Sequence, residues 1–295
     1  MAAPLRLRDA DVPAWVGSLG LPGIVDAHVH FMPEPVQAKV WAHFERLDPP
    51  WQVLYRGPEP DRLATLAALG VRHHTGLAYA HRPGMAAWLN EHTLGLAAAH
   101  PQLVASFTLY PEPDVEGYVA QALDRGGACA KVHLQVGKFH LDDPLLRRAW
   151  ALLERRRVPV VLHAGAVGDG SGGEEYCGVA PVARLLARHP GLRLVVAHLG
   201  APEPAPFLDL AAATPGLALD TAMVFGQPVL GGLPAALAGR LADLGDRIVF
   251  GSDFPTLPYP FAEQLAGLAN LGLGDDWLRA VLWSNGARLF GLEQA

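Results

Sequence analysis

Short apolar segments alternate with helical segments along most of this chain, and this alternation is the feature that most constrains the fold. Eight runs separated by helices predict a parallel sheet that is covered on both faces. At 295 residues the length suits a (β/α)8 barrel, that is, a TIM barrel of the α/β class. A doubly wound open sheet is the alternative, although no glycine-rich dinucleotide fingerprint follows the first strand. The predicted strands are residues 24–30, 71–79, 103–109, 128–135, 159–163, 192–198, 217–223 and 247–253.

The sequence predicts a single domain over residues 1–295, with residues 1–23 as a lead-in segment. A long connection at 31–60, rich in proline and aromatic residues, interrupts the alternation after the first strand. Loops of this length in compact domains are usually functional. We expect this connection to form a pocket wall or lid, with a contact between subunits as the alternative.

Composition narrows the class of partner. The net charge of −6 gives no basic footprint, so nucleic acid is not expected as a partner. No apolar run is long enough to cross a bilayer, and the first residues lack a signal-peptide pattern. The two cysteines, Cys129 and Cys177, suit a reducing compartment. We therefore expect a cytoplasmic protein that acts on a small molecule without a membrane partner and that can form homo-oligomers.

Polar side chains stand at the C-terminal ends of the predicted strands, where TIM-barrel active sites lie. Alternate strand residues share a face, so Asp26, His28 and His30 point the same way. Unpaired buried polar groups would cost roughly 2–7 kcal/mol each, whereas a shared metal ion satisfies several together. The other polar strand ends are Lys131 with His133, His163, His198 and Asp253.

These motifs together resemble the amidohydrolase superfamily, most closely its amidohydrolase-2 branch of metal-dependent barrel hydrolases and decarboxylases. The resemblance runs from Ile24 to about Leu292 and implies a distorted barrel with one or two divalent ions at its mouth. It implies that four residues bind the more buried ion, namely His28, His30, His163 and Asp253. By the same resemblance, His198 binds a second ion or contacts the substrate. The motifs are Asp26-Ala-His28-Val-His30, Lys131-Val-His133, His163-Ala-Gly165, His198-Leu-Gly200 and Gly251-Ser-Asp253-Phe-Pro255.

Imidazoles with a carboxylate suit zinc, and manganese, iron or cobalt are possible substitutes. Asp253 is expected to bind the metal and to move a proton from water to the leaving group, while His198 polarises the substrate carbonyl. In binuclear relatives a lysine at the position of Lys131 is carboxylated and bridges two ions; alternatively Lys131 pairs with a carboxylate or an anionic substrate. His133 is a weaker candidate near the rim. Asp26 is expected to orient a ligand imidazole.

The expected function is hydrolysis of a C–N or C–O bond in a small amide, lactone or ester by a metal-activated water. The first alternative is non-oxidative decarboxylation of a small unsaturated or aromatic carboxylate on the same metal site. A single metal and a flat aromatic pocket would favour decarboxylation, whereas Lys131 permits the binuclear site of a hydrolase. A barrel that binds without catalysis is the alternative from another class.

Overall fold

A computed structural model describes residues 3–48, 50–168, 170–227 and 230–292. The strands are β1 Ile24–Asp26, β2 Val71–Thr75, β3 Leu103–Val104, β4 Ser106–Thr108, β5 Cys129–His133, β6 Val160–His163, β7 Leu194–Val196, β8 Leu217–Asp220 and β9 Ile248–Val249. The α-helices are α1 Val12–Ser18, α2 Glu34–Phe44, α3 Glu59–Ala68, α4 Ala86–Ala99, α5 Val115–Asp124, α6 Leu134–Gly137, α7 Arg147–Arg156, α8 Val179–Arg188, α9 Pro204–Ala213, α10 Ala238–Asp243, α11 Phe261–Asn270, α12 Asp275–Arg279 and α13 Asn285–Phe290.

The chain divides into two compact units. Unit 1 contains residues 1–74 and 221–295, and unit 2 contains residues 75–220. The single domain over 1–295 stays a prediction. Within the described ranges, no helix is long and apolar enough to span a membrane.

In unit 1, β1 pairs in parallel with β2 on one side. On its other side the chain beyond β1 runs beside residues 250–254. The His30 amide donates to the Phe254 carbonyl at 2.8 Å, and the Asp253 amide donates to the His28 carbonyl at 2.8 Å. The last predicted strand, 247–253, is regular only over β9, and the hydrogen bonds to the β1 segment carry its extended course further. This pairing places the first and last polar strand ends side by side.

The lead-in segment helps to position the helix that follows the Asp253 segment. Met1 and Ala2 lie outside the described residues, and α1 occupies residues 12–18. The Tyr55 hydroxyl donates to the Asp9 carboxylate and accepts the Phe261 amide at 2.6 Å. The other oxygen of Asp9 accepts the Ala262 amide at 2.9 Å. Two otherwise orphaned N–H groups at the start of α11 are thereby satisfied.

The interpretation of 31–60 as one long connection is wrong, because it contains α2. The proline content suggested irregular chain, but Pro35 stands in the first turn of α2, where proline is compatible with a helix. Gln37 and Trp41, four residues apart, form the buried face of α2. The segment therefore contributes a packed helix to unit 1.

In unit 2, strands β4 to β8 pair in parallel in chain order. The predicted strand 103–109 is divided into β3 and β4. Several strands end where the polar residues begin, because the chain turns helical there: α6 begins directly after His133, and a 3-10 turn spans Ala197–Gly200. These turns decide where the predicted site residues point.

Candidate metal centre

Three predicted ligands converge in unit 1. His28 Nε2 and His30 Nε2 are 3.2 Å apart, and Asp253 Oδ1 lies 3.1 Å from His30 Nε2 and 3.9 Å from His28 Nε2. Tetrahedral ligands at about 2.0–2.2 Å from zinc are separated by roughly 3.3–3.6 Å. His28 is fully buried, and the Asp253 side chain is 15% exposed. The donor types and spacing therefore fit a divalent metal ion.

Asp26 holds the backbone of both segments that carry this triad. Its Oδ1 accepts the His28 amide at 3.1 Å and the Ser252 amide at 3.0 Å. Asp26 itself is fully buried. One carboxylate oxygen thus ties the end of β1 to the residue before Asp253. The predicted role of Asp26 in orienting a ligand imidazole stays a prediction.

Asp253 stands in a left-handed backbone conformation, with φ of 67°. Aspartate and asparagine adopt this region more readily than most residues, because the short polar side chain bonds locally. The preceding turn is fixed by buried Gln264, whose Nε2 donates to the Ser252 carbonyl at 3.0 Å while its Oε1 accepts the Met223 amide at 2.8 Å. Gln264 could not be predicted from the sequence, because a lone glutamine on an amphipathic helix carries no local signal.

Three histidines cluster in unit 2. His133 and His163 are register partners on β5 and β6, and their rings stack with centroids 3.8 Å apart and planes 13° apart. The His163 and His198 centroids are 4.9 Å apart. Lys131, two residues before His133 on the same face of β5, is fully buried. The structure therefore brings His133, His163 and His198 together, and the ligand and bridging roles stay predictions.

The chain at His198 departs from strand geometry. His198 and Leu199 have φ of 58° and 52°, in the left-handed region. If β7 continued as a regular strand, Ala197 rather than His198 would lie beside His163 on the same face of the sheet. The left-handed turn therefore accounts for the approach of the His198 ring to the His163 ring. Asp220, fully buried at the end of β8, accepts the His198 amide at 2.8 Å. Asp220 was not among the predicted site residues, although it ends an apolar strand as Asp253 does.

The glycine of the His163-Ala-Gly165 motif lies against the His198 turn. A Cβ atom on Gly165 would lie 1.8 Å from the Ala201 carbonyl oxygen, a distance that no side chain tolerates. Glycine is therefore required for the β6 end to approach this turn.

We expect Gly165→Ala to lower the free energy of unfolding by about 1–3 kcal/mol, because a backbone oxygen must move to admit the methyl group. Chemical denaturation measures the change. Gly168→Ala is the matched control, since its added Cβ would contact nothing within 4 Å. Equal stability of the two variants would contradict the steric assignment.

Comparison with solved structures gives the class of fold. An uncharacterised TIM-barrel protein from Bordetella bronchiseptica is similar with a TM-score of 0.72 and 19% identity, covering 92% of this chain and all of that one. A putative 2-pyrone-4,6-dicarboxylic acid hydrolase from Pseudomonas putida has a TM-score of 0.64 and 20% identity, over 92% and 98% of the two chains. A 4-oxalomesaconate hydratase from Rhodopseudomonas palustris has a TM-score of 0.57 and 15% identity, over 91% and 95%. The predicted α/β TIM-barrel fold is thereby confirmed.

The family is shown by sequence. The amidohydrolase family model matches residues 25–292, and the chain belongs to that family. The resemblance expected from the strand-end motifs is confirmed. No curated protein sequence matches the chain. Members of the family are enzymes, and the His/Asp triad of unit 1 can hold a metal ion.

Proposed function

We propose that the protein is a metal-dependent hydrolase that cleaves a C–N or C–O bond in a small amide, lactone or ester. The observation that carries this proposal is the triad of His28, His30 and Asp253, whose ligand atoms lie 3.1–3.9 Å apart. Zinc is the proposed metal because two imidazoles and one carboxylate match its preferences, with manganese, iron or cobalt as substitutes. We propose His163 as a further ligand and, if a second ion binds, His198 as its ligand and a carboxylated Lys131 as the bridge between the two ions.

The proposed roles of the side chains follow from their chemistry. A divalent ion at the triad would supply Lewis acidity and bring the pKa of water toward about 7. The Asp253 carboxylate would accept the proton of the attacking water and return it to the leaving nitrogen or oxygen. A His198 ring N–H would donate to the substrate carbonyl oxygen as negative charge develops there. Asp26 would hold His28 and the Asp253 segment in place through their backbone.

The names of structural relatives support hydrolysis over decarboxylation. One is described as a putative and another as a probable 2-pyrone-4,6-dicarboxylic acid hydrolase, and a 2-pyrone is an unsaturated cyclic ester. We therefore favour a small lactone that carries a carboxylate as the substrate class. Decarboxylation of a small unsaturated or aromatic carboxylate is the second candidate, because the same donor set would hold such a substrate. A cytoplasmic location, a possible homo-oligomer and the lack of nucleic-acid and membrane partners remain part of the proposal.

Metal removal is the first test. Purified protein should contain one or two ions per chain by elemental analysis, and dialysis against dipicolinate should abolish turnover of a panel of lactones, esters and amides. Adding zinc back should restore turnover and raise the melting temperature, because an ion that binds the folded state stabilises it. A protein without stoichiometric metal, active and insensitive to chelators, would refute the proposal.

Release of CO₂ from unsaturated acids, measured on the same preparation, distinguishes decarboxylation from hydrolysis. His28→Ala should lose the bound metal. His100→Ala is the matched control, because His100, the residue that follows α4 in unit 2, is not a proposed ligand.

A further inference from the structure

A second cluster of buried polar atoms lies in unit 1 between α2 and α3. Arg62, on the first turn of α3, is 1% exposed, and Gln37, on α2, is fully buried. Among the described residues, five side-chain atoms of this cluster are buried without a hydrogen-bond partner. They are Nε and Nη1 of Arg62, Oε1 and Nε2 of Gln37, and Nε1 of Trp41. Such groups normally find a partner, and each costs about 1–3 kcal/mol without one.

The contacts of Arg62 place its guanidinium beside the face of α2 that carries Glu34 and Trp41. The guanidinium carbon lies 5.3 Å from the Phe31 ring centroid and 5.5 Å from the Trp41 ring centroid, so the cation is flanked by two aromatic rings. Its Nη2 pairs with Glu34 at 2.7 Å. Gln37 stands three residues after Glu34 and four before Trp41, on the helix face that meets Arg62.

The charge of Arg62 is incompletely compensated. The Glu34 side chain is 51% exposed, so water screens its attraction for the buried guanidinium. Burial lowers the pKa of Arg62 below its ordinary value, although Glu34 and Glu59 oppose that change. Four of the five atoms without a partner are N–H donors and one is an acceptor. A ligand that accepts several hydrogen bonds and carries negative charge matches this set.

We propose that Arg62, Gln37 and Trp41 form a binding site for a small oxyanion of the carboxylate class. The ligand accepts hydrogen bonds from Arg62, the Gln37 amide and the Trp41 indole, and the Phe31 ring lies beside the guanidinium. Phe31 directly follows His30, so the same chain segment carries a triad residue and a wall of the anion site. The oxyanion can be free in solution or can be the carboxylate of the substrate.

Sodium formate is the probe, with sodium chloride at equal ionic strength as the reference, on the zinc-loaded protein. Formate should raise the melting temperature saturably, because it binds the folded state. Trp41→Phe keeps the ring over the guanidinium and removes the N–H, and Gln37→Leu removes the amide. Each should weaken the apparent formate affinity about tenfold or more, because it removes a hydrogen bond to a charged group.

Trp51→Phe is the matched control, since the indole of Trp51 already donates to the Thr256 carbonyl at 2.9 Å. It should keep the wild-type formate response. If formate and chloride act alike, or if Trp41→Phe and Gln37→Leu respond to formate as the wild type does, the site is refuted. A wild-type response in both variants would also show that formate acts elsewhere, for example at the triad.

A further arm separates the two sources of the oxyanion, and this arm alone rests on the proposed function. For a carboxylate substrate from the panel, Trp41→Phe should raise KM for the acid but not for its methyl ester if the substrate's carboxylate occupies the site. Unchanged KM for both compounds, together with a weakened formate response, would assign the site to a free anion.

Discussion

Asp253→Asn is expected to lower kcat by about 10²–10⁴-fold, the range supplied by a positioned general base. The amide cannot accept the proton of water, and it is a weaker metal ligand than a carboxylate. Asparagine is the informative replacement, because it tolerates the left-handed backbone at this position, where φ is 67°. The loss of kcat would therefore reflect the missing carboxylate rather than a changed backbone conformation of the turn. Steady-state kinetics on the best substrate of the panel measures it.

Metal content gives a second readout of Asp253→Asn. Zinc affinity should fall by more than the roughly 10–100-fold typical of losing a hydrogen-bonding partner of a ligand. An unchanged near-ultraviolet circular dichroism spectrum would show that the packing is intact. A variant that keeps wild-type kcat and zinc content would exclude Asp253 from both roles.

Asp26→Ala is expected to lower the free energy of unfolding by about 2–6 kcal/mol. The carboxylate oxygen accepts two buried backbone amides, those of His28 and Ser252, and each would be left without that acceptor at a cost of about 1–3 kcal/mol. Urea denaturation of the zinc-free protein measures the change. Because both amides belong to segments that carry the triad, zinc affinity should fall as well.

Asp26→Asn is the matched comparison, since its amide oxygen can accept both N–H groups. It should recover most of the stability lost in the alanine variant. If the alanine variant were as stable as the wild type, Asp26 would not hold these two segments together. If the asparagine variant were as unstable as alanine, the charge of Asp26 would matter more than its two backbone bonds.

The strand-end residues could be predicted because their chemistry is local. A buried apolar run that ends in histidine or aspartate is visible in the sequence, and the β/α alternation assigns its end to the catalytic face of a barrel. His28, His30 and Asp253 were predicted in this way, and their candidate ligand atoms lie close together in the structure. The family match over residues 25–292 confirms the resemblance that these residues carry.

The course of the backbone and the long-range hydrogen-bond partners could be predicted less well from the sequence. The approach of His198 to His163 depends on a left-handed turn, whereas strand alternation alone would place Ala197 there. Asp220 and Gln264 act by accepting or donating to backbone groups, and residue type alone does not reveal such partners. Helix α2 was missed because proline is compatible with a first helical turn as well as with irregular chain.

The contact between Gly165 and Ala201 has a consequence for how this sequence can diverge. The obstructing atom is the main-chain oxygen of residue 201, which every amino acid possesses. No replacement at position 201 can therefore make room for a side chain at position 165. Among descendants that keep this turn, we expect position 165 to remain glycine while the side chain at 201 varies. The two histidine-bearing segments would then be inherited as a single steric unit.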